Sequence, residues 1–390
     1  MKRKVSLFLV ILLMASAFLF GCASEPEGEE TGGEEEVIKI GVFEPFTGAN
    51  AAGGALEKEG IELAHELYPE VLGKQVEVVY VDNKSDKVEA ATAARNLVDK
   101  ERVAVVLGSW GSSFSMAAGP VYQESEIPAI GTSCTNPLVT LGNEYYFRVC
   151  FIDSFQGVVM ANYAYNEAGA EKIAIIQEIS NDYSVALSQI FQNEFIELTG
   201  DENAIVSVSN YNTGDQDFTA QLTSIKESGA DAIFAPGNFT ESALLMKQAK
   251  ELGIGIPFLG ADTWETPEVI DIGGDAVEGA VFSTFFDSAV PLTDETTVFL
   301  DAYKAKYGED KEPAAVTALA YDAYILALDA IERAGSTEGP VIRDALETTE
   351  NFPGAAGIVT LDENGDAVKS AIIKTIENGE FTYKSTVEPF

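Results

Sequence analysis

Histidine is almost missing from this chain: His65 is the only one in 390 residues. Cysteine is nearly as scarce, at Cys22, Cys134 and Cys150. That inventory excludes a zinc site of the HExxH or paired-cysteine kind. His65 lies in a helical stretch ending at Leu67-Tyr68-Pro69 and reads as a structural surface histidine. No G-x-S-x-G elbow occurs, so serine hydrolysis lacks its usual frame. No G-x-G-x-x-G follows the first strand and no G-x-x-x-x-G-K-[ST] occurs, which excludes the common nucleotide-binding loops. Positive charge is short as well: 24 Lys and Arg stand against 63 Asp and Glu, a net charge of −39. Such a surface repels nucleic acid and anionic lipid. The chain therefore reads as a non-enzyme with no cofactor and no metal.

The N-terminus places the protein outside the cytoplasm. Lys2, Arg3 and Lys4 precede an apolar run from Val5 to Phe20, the pattern of a secretion signal. Leu19-Phe20-Gly21-Cys22 then resembles the bacterial lipobox, where cleavage precedes a lipid-bearing cysteine. Residues 1–22 are thus expected to be a lipoprotein signal peptide with Cys22 as the lipidation site. Ala15-Ser16-Ala17 offers an ordinary cleavage site, but inside the apolar run. Residues 23–36 are Glu- and Gly-rich, cannot bury a core, and read as an acidic flexible linker. The expected location is extracytoplasmic: the periplasm or the outer face of the cell membrane. That compartment permits a bridge between Cys134 and Cys150, yet cysteine also packs well as a small buried hydrophobe. The spacing does not choose between the two.

Apolar strand-like runs alternate with helical patterns over the rest of the chain. Strands are expected at 37–43, 75–82, 103–108, 127–131 and 145–149, with helices near 54–67, 86–100 and 113–124. The rhythm restarts with helices at 155–168, 183–198, 218–228 and 240–252, and strands at 172–177, 204–210, 231–237 and 256–262. Continuous hydrophobic strands in repeated βαβ order argue for two parallel sheets covered on both faces. Late helices at 294–306, 314–334 and 340–347, then strands at 357–362 and 370–379, require the chain to cross between the halves near 149–153, 284–287 and 357–362. The fold class is α/β: two doubly wound parallel-sheet lobes joined by a multi-strand hinge. Lobe 1 is expected to hold 37–150 plus 286–358, and lobe 2 to hold 151–285 plus 359–390.

Open α/β sheets bind ligands in the loops at the carboxyl ends of their strands. Here those loops are small and hydroxyl-rich. Ser109-Trp110-Gly111-Ser112-Ser113 opens a helix, with Ser112 or Ser113 suited to the N-cap, and the helix end attracts a carboxylate. Gly131-Thr132-Ser133-Cys134-Thr135-Asn136-Pro137 offers hydroxyls and carbonyls for an ammonium group. Asn181-Asp182-Tyr183 and Ala261-Asp262-Thr263-Trp264 face them from the other half. Together they complement a zwitterion. Glu178 and Asp182 read as solvated loop carboxylates.

The body resembles a type I periplasmic solute-binding protein of the branched-chain amino-acid (Leu/Ile/Val-type) ABC transporter family. The matching segments are IKIGVFEPFTG, VVLGSWGSS, IPAIGTSCTNP, YYFRVCFIDSFQG, KIAIIQEISNDYS, DFTAQLTSIKESGADAIFAPG, MKQAKELG and GGDAVEGAVFST, in the family's order. The resemblance implies that Ser112 binds a carboxylate and that Ser133 and Thr135 hold the amino-acid backbone. Tyr183 would close over the ligand and Asp262 would take its ammonium. Trp110, Trp264 and Phe239 line the same loops and depart from the family's pattern, as do Gly53 and Gly54, so the side-chain specificity is left open. The implied function is capture of an amino acid, branched-chain or otherwise apolar or aromatic, and its delivery to an ABC permease with cytoplasmic ATPases. A monomer, held to the membrane by lipid, is expected. A ligand-sensing receptor of the same fold, or a binder of a small amide or aromatic carboxylate, would show the same residues.

Overall fold

The strand-tip loops that carry the chemistry are supported by two separate sheets in a computed structural model that describes residues 37–389. The expected signal peptide and linker, with Cys22, lie outside the described residues. In chain order the first half contains β1 (Ile38–Glu44), α1 (Ala51–Leu67), β2 (Glu70–Val71), β3 (Lys74–Asp82), α2 (Lys87–Arg95), β4 (Val105–Leu107), α3 (Ser112–Ser125), β5 (Ala129–Gly131) and β6 (Tyr146–Arg148). Then come α4 (Asp153–Asn162), β7 (Ile173–Glu178), α5 (Asp182–Thr199), β8 (Ile205–Tyr211), α6 (Thr219–Ser228), β9 (Ala232–Phe234), α7 (Phe239–Glu251), β10 (Phe258–Gly260), α8 (Pro267–Gly273) and β11 (Val281–Thr284). The chain ends with α9 (Asp294–Tyr307), α10 (Ala315–Ala334), α11 (Gly339–Glu347), β12 (Phe352–Gly354), β13 (Gly357–Val359), β14 (Ala371–Glu377) and β15 (Glu380–Val387).

The first sheet runs β2-β3-β1-β4-β5-β6, and the second runs β15-β14-β11-β10-β9-β7-β8. Their central strands are parallel and buried on both faces, so they read as unbroken hydrophobic runs. The second sheet is mixed rather than wholly parallel: β14 pairs antiparallel with β11 and with β15. The hairpin partner β15 is missing from the sequence expectation. Its strand, EFTYKSTV, is only half-buried and alternates polar with apolar residues, which gives a weak signal at a sheet edge. The run at 357–362 also differs: β13 pairs only with β12, in a separate two-stranded ribbon.

The late helix α10 packs along α1, and so returns to the first sheet. His65 fixes that pairing, with Nδ1 lying 2.8 Å from the Tyr324 hydroxyl. It is half-buried, a structural histidine shared between two helices rather than a free surface one. The chain passes from β6 to α4 and β7, from β11 to α9, and from β13 to β14, so three connections join the sheets. A buried charge cluster binds the second: Lys374 Nζ on β14 lies 2.8 Å from Glu265 Oε1 and 3.1 Å from Asp287 Oδ2. Cys134 and Cys150 are both buried as free thiols. Among the described residues no helix is long and apolar enough to cross a membrane, and no cluster of His, Cys, Asp and Glu could hold a metal ion.

Candidate functional site

The first sheet supplies two loops, after β4 and after β5. The β4 loop turns through Gly111 at φ 93°, a conformation that favours glycine. Gly111, not Ser112 or Ser113, is the N-cap of α3, and it provides no side-chain cap. Phe114 N donates to the Gly111 carbonyl at 3.1 Å, but no side chain caps the Ser112 and Ser113 amides, which sit at the positive end of the helix dipole. The two serines are free for other partners. Ser112 Oγ accepts from the Asn136 amide at 3.0 Å, which ties the β4 loop to the β5 loop. Ser113 faces the opposite lobe.

Arg148, at the end of β6, sets the shape of the β5 loop from beneath. Its buried guanidinium donates to the carbonyls of Cys134 (2.6 Å) and Asn136 (2.9 Å), and its Nε lies 2.6 Å from Asp366 Oδ1. Ser133 is turned away from the cleft, since its hydroxyl donates to Glu57 at 2.5 Å. Thr135 accepts at its carbonyl from the Asp153 amide at 2.9 Å. Its hydroxyl is buried beside the Asp153 carboxyl.

Opposite these loops, the second sheet presents a set of acids. Asp262 Oδ1 accepts from the Tyr183 hydroxyl at 2.8 Å and from Gln156 Nε2 at 2.7 Å. Burial raises the Asp262 carboxyl to about 6, against the pull of those two donors. Asp153 opens α4 with its carboxyl fully buried beside the Thr135 hydroxyl. Burial, then the charge of Asp262, push it well above the usual carboxylate range. Thus Thr135, Asp153, Asp262 and Tyr183 form one continuous group, and Ser112 joins it through Asn136, whose Nδ2 donates to the Asp182 carbonyl at 3.1 Å.

The aromatic residues divide. Trp110 lies in the first lobe, buried, with its ring over Gly53, where an added Cβ would stand 2.3 Å from Trp110 Cδ2. Across the cleft it meets Phe239 at the start of α7, ring centroids 6.2 Å apart and edge to face. Trp264 instead covers Gly260 and leans on Phe282 at 6.4 Å. Both indole N–H groups are buried without a hydrogen-bond partner. Glu178 is wholly buried, not solvated: it accepts from Asn238 N at 3.3 Å, Asn238 Nδ2 at 3.2 Å and Asn181 Nδ2 at 3.2 Å. Asp182 is half-exposed and ion-paired with Lys87 across the lobes.

The periplasmic binding protein family profile matches residues 37–380. The chain belongs to that family, in its type I branched-chain amino-acid branch. A leucine-binding protein of Thermotoga maritima is 43% identical, covers 90% of this chain and 99% of its own, and superposes with a TM-score of 0.87. A branched-chain amino-acid transporter substrate-binding protein of Streptococcus pneumoniae, solved with isoleucine, is 32% identical with a TM-score of 0.83, over 91% of this chain and 99% of its own. A leucine-, isoleucine-, valine-, threonine- and alanine-binding protein of Pseudomonas aeruginosa is 28% identical over 91% of this chain and 92% of its own. These relatives are solute-binding proteins, not enzymes.

Three contributors to this site escape sequence reading. Asp153 and Gln156 stand in the FIDSFQG segment, and Arg148 in YYFRV, but nothing in those strings separates a cleft residue from a hinge residue. An aspartate in the first turn of a helix is favoured by the helix dipole whether exposed or buried, so its burial gives no sequence signal.

Proposed function

We propose that this periplasmic binding protein captures an α-amino acid with an apolar side chain and delivers it to an ABC permease driven by cytoplasmic ATPases. One observation carries the reading. Asp153 and Asp262 are two buried carboxyl groups that repel each other beside the Thr135 hydroxyl. A ligand ammonium set between them would turn that repulsion into attraction and allow both to ionise. An aromatic carboxylate without an amine would leave the repulsion in place. The ligand's own carboxylate fits the uncapped amides of α3 and the Ser112 hydroxyl. Trp110 and Phe239 would flank the side chain, with Trp264 below. Tyr183 closes the site by holding Asp262, while Ser133 contributes its backbone, its hydroxyl being engaged elsewhere.

The leucine-binding relative of Thermotoga maritima and the Streptococcus pneumoniae relative solved with isoleucine support this choice. In this reading lobe 1 (37–150 with 286–358) and lobe 2 (151–285 with 359–390) close on the ligand, which stabilises the closed form by touching both. The permease then recognises the closed form. Lipid on Cys22 and the 23–36 linker would keep the protein at the membrane, and Cys22→Ser tests this: the variant should leave the membrane fraction, and its retention there would refute the anchor.

Calorimetric titration with leucine, phenylalanine and benzoate tests the ligand class. Saturable binding of an amino acid, with none of benzoate, is expected. Binding of benzoate with indifference to every amino acid would overturn the reading.

A further inference from the structure

Behind the cleft, in the first lobe, lie two buried carboxyl groups that the ligand contacts do not use. Glu44 ends β1 and Glu57 sits on α1, both with no exposed surface. The two groups hydrogen-bond to each other. Glu44 Oε2 accepts from the Trp110 amide at 2.7 Å. Glu57 accepts from Ser133 Oγ at 2.5 Å and from Thr132 Oγ1 at 2.8 Å. Thr132 Oγ1 also lies 3.4 Å from Glu44 Oε1, so one hydroxyl reaches both acids.

The groups acting most strongly on either carboxyl are the other carboxyl, the Trp110 amide, the Thr132 and Ser133 hydroxyls and the Cys134 thiol. Tyr122 on α3 and Tyr146 on β6 face Glu44 as well. None of these is a cation. Two buried carboxylates in contact cannot both ionise without one, so the pair holds a proton in common. Glu57 accepts two hydroxyl protons and therefore carries the charge. Glu44 carries the proton and donates it to Glu57.

The position of the pair gives that proton a task. Glu44 grips the loop that carries Trp110 and Ser112, and Glu57 grips the loop that carries Ser133 and Thr135. We propose that Glu44 and Glu57 form a proton-sharing clasp that holds both ligand-gripping loops of the first lobe in register, and that ligand retention depends on this proton. They are positioning residues, acting through Trp110 and Ser133. The inference about retention rests on the amino-acid reading above; the existence of the clasp does not.

The decisive variant is Glu44→Gln, whose carboxamide copies the protonated acid: N–H toward Glu57, carbonyl toward the Trp110 amide. Thermal unfolding of the unliganded full-length protein, wild type against Glu44→Gln, is measured from pH 5 to pH 9. The wild type must keep the proton that its unfolded chain releases, so the variant gains on it as pH rises, by up to about tenfold in the folding equilibrium per pH unit. Parallel profiles would overturn the clasp. In leucine titration at pH 7, Glu44→Ala should lose at least about tenfold in affinity and Glu44→Gln should restore most of it, since the loops depend on the hydrogen bonds and not on the charge. A Glu44→Gln loss equal to that of Glu44→Ala would overturn the positioning role. Should leucine bind neither protein, the amino-acid reading fails while the thermal comparison still decides the clasp.

Discussion

Ser113 on α3 and Asp182 at the start of α5 bond twice across the cleft: Ser113 Oγ donates to Asp182 Oδ2 at 2.9 Å and accepts from the Asp182 amide at 3.0 Å. Lys87 reaches the same carboxylate from α2, and Asn136 Nδ2 donates to the Asp182 carbonyl. Three elements of one lobe thus converge on one residue of the other, the chain neighbour of Tyr183, whose hydroxyl holds Asp262. The carboxylate is held below its usual range, even against desolvation, by its Lys87 and Ser113 bonds.

Asp182 should therefore act as a latch on the closed form. Asp182→Ala removes two side-chain partners of a half-exposed group, each contributing at most about 1 kcal/mol. Ligand release, followed by stopped-flow, should quicken about three- to tenfold, more at low salt than at high salt. An unchanged release rate would remove the latch.

Loss of the Asp262 carboxylate should be more severe. Asp262→Ala deprives a bound ammonium of one buried partner, and leaves the Tyr183 hydroxyl and Gln156 amide facing an empty position. Amino-acid affinity should weaken by about 2–5 kcal/mol in calorimetry. Affinity within threefold of the wild type would place the ammonium elsewhere.

Binding and stability should respond to pH in opposite directions. Asp262 titrates at about 6 in the unliganded fold, and a bound ammonium favours its ionised form. Leucine affinity should thus fall below pH 6, by up to about tenfold per pH unit from Asp262 alone, and Asp262→Asn should remove that share. The unliganded fold behaves otherwise. Asp322, buried on α10 where it accepts from the Ala355 and Ala356 amides, is raised by burial to about 7. Both raised carboxyls, Asp262 and Asp322, stabilise the fold fully below the ordinary aspartate value near 4 and cease to do so as pH rises past their folded values. Denaturant midpoints without ligand should decline from pH 4 to pH 8. A midpoint that climbs over that range would contradict the burial of these groups.

Gly53 offers a steric test of the aromatic wall. Alanine in a helix interior normally stabilises by about 1 kcal/mol over glycine. Here the added Cβ would stand 2.3 Å from the buried Trp110 ring, which must shift to admit it. Gly53→Ala should therefore lower the melting temperature and alter the preference among leucine, isoleucine and phenylalanine. A variant with higher stability and unchanged preference would show that Trp110 does not bound the site.

Much of this was legible because it is local. Alternating apolar strands and amphipathic helices announced two α/β halves, and the loops at their strand ends held Ser112, Thr135, Tyr183 and Asp262, which the fold does bring together. Other features were hidden because the partner lies far away in sequence. The Ser133 hydroxyl is taken by Glu57, 76 residues away, which leaves its backbone for the cleft. Glu178 looked like a solvated loop acid, but Asn238, 60 residues on, buries it. The edge strand β15 was silent because half-burial leaves little hydrophobic pattern.

The sequence alone determined the layered α/β architecture and the set of loops able to hold a small dipolar ligand, because hydrophobic period and helix-end chemistry are properties of neighbouring residues. Only the tertiary structure decided which acids face the cleft and which of them burial pushes up. Burial, and the approach of Asp153 to Asp262 and of Glu44 to Glu57, arise from packing between distant segments, and those distances set the electrostatics on which ligand recognition rests.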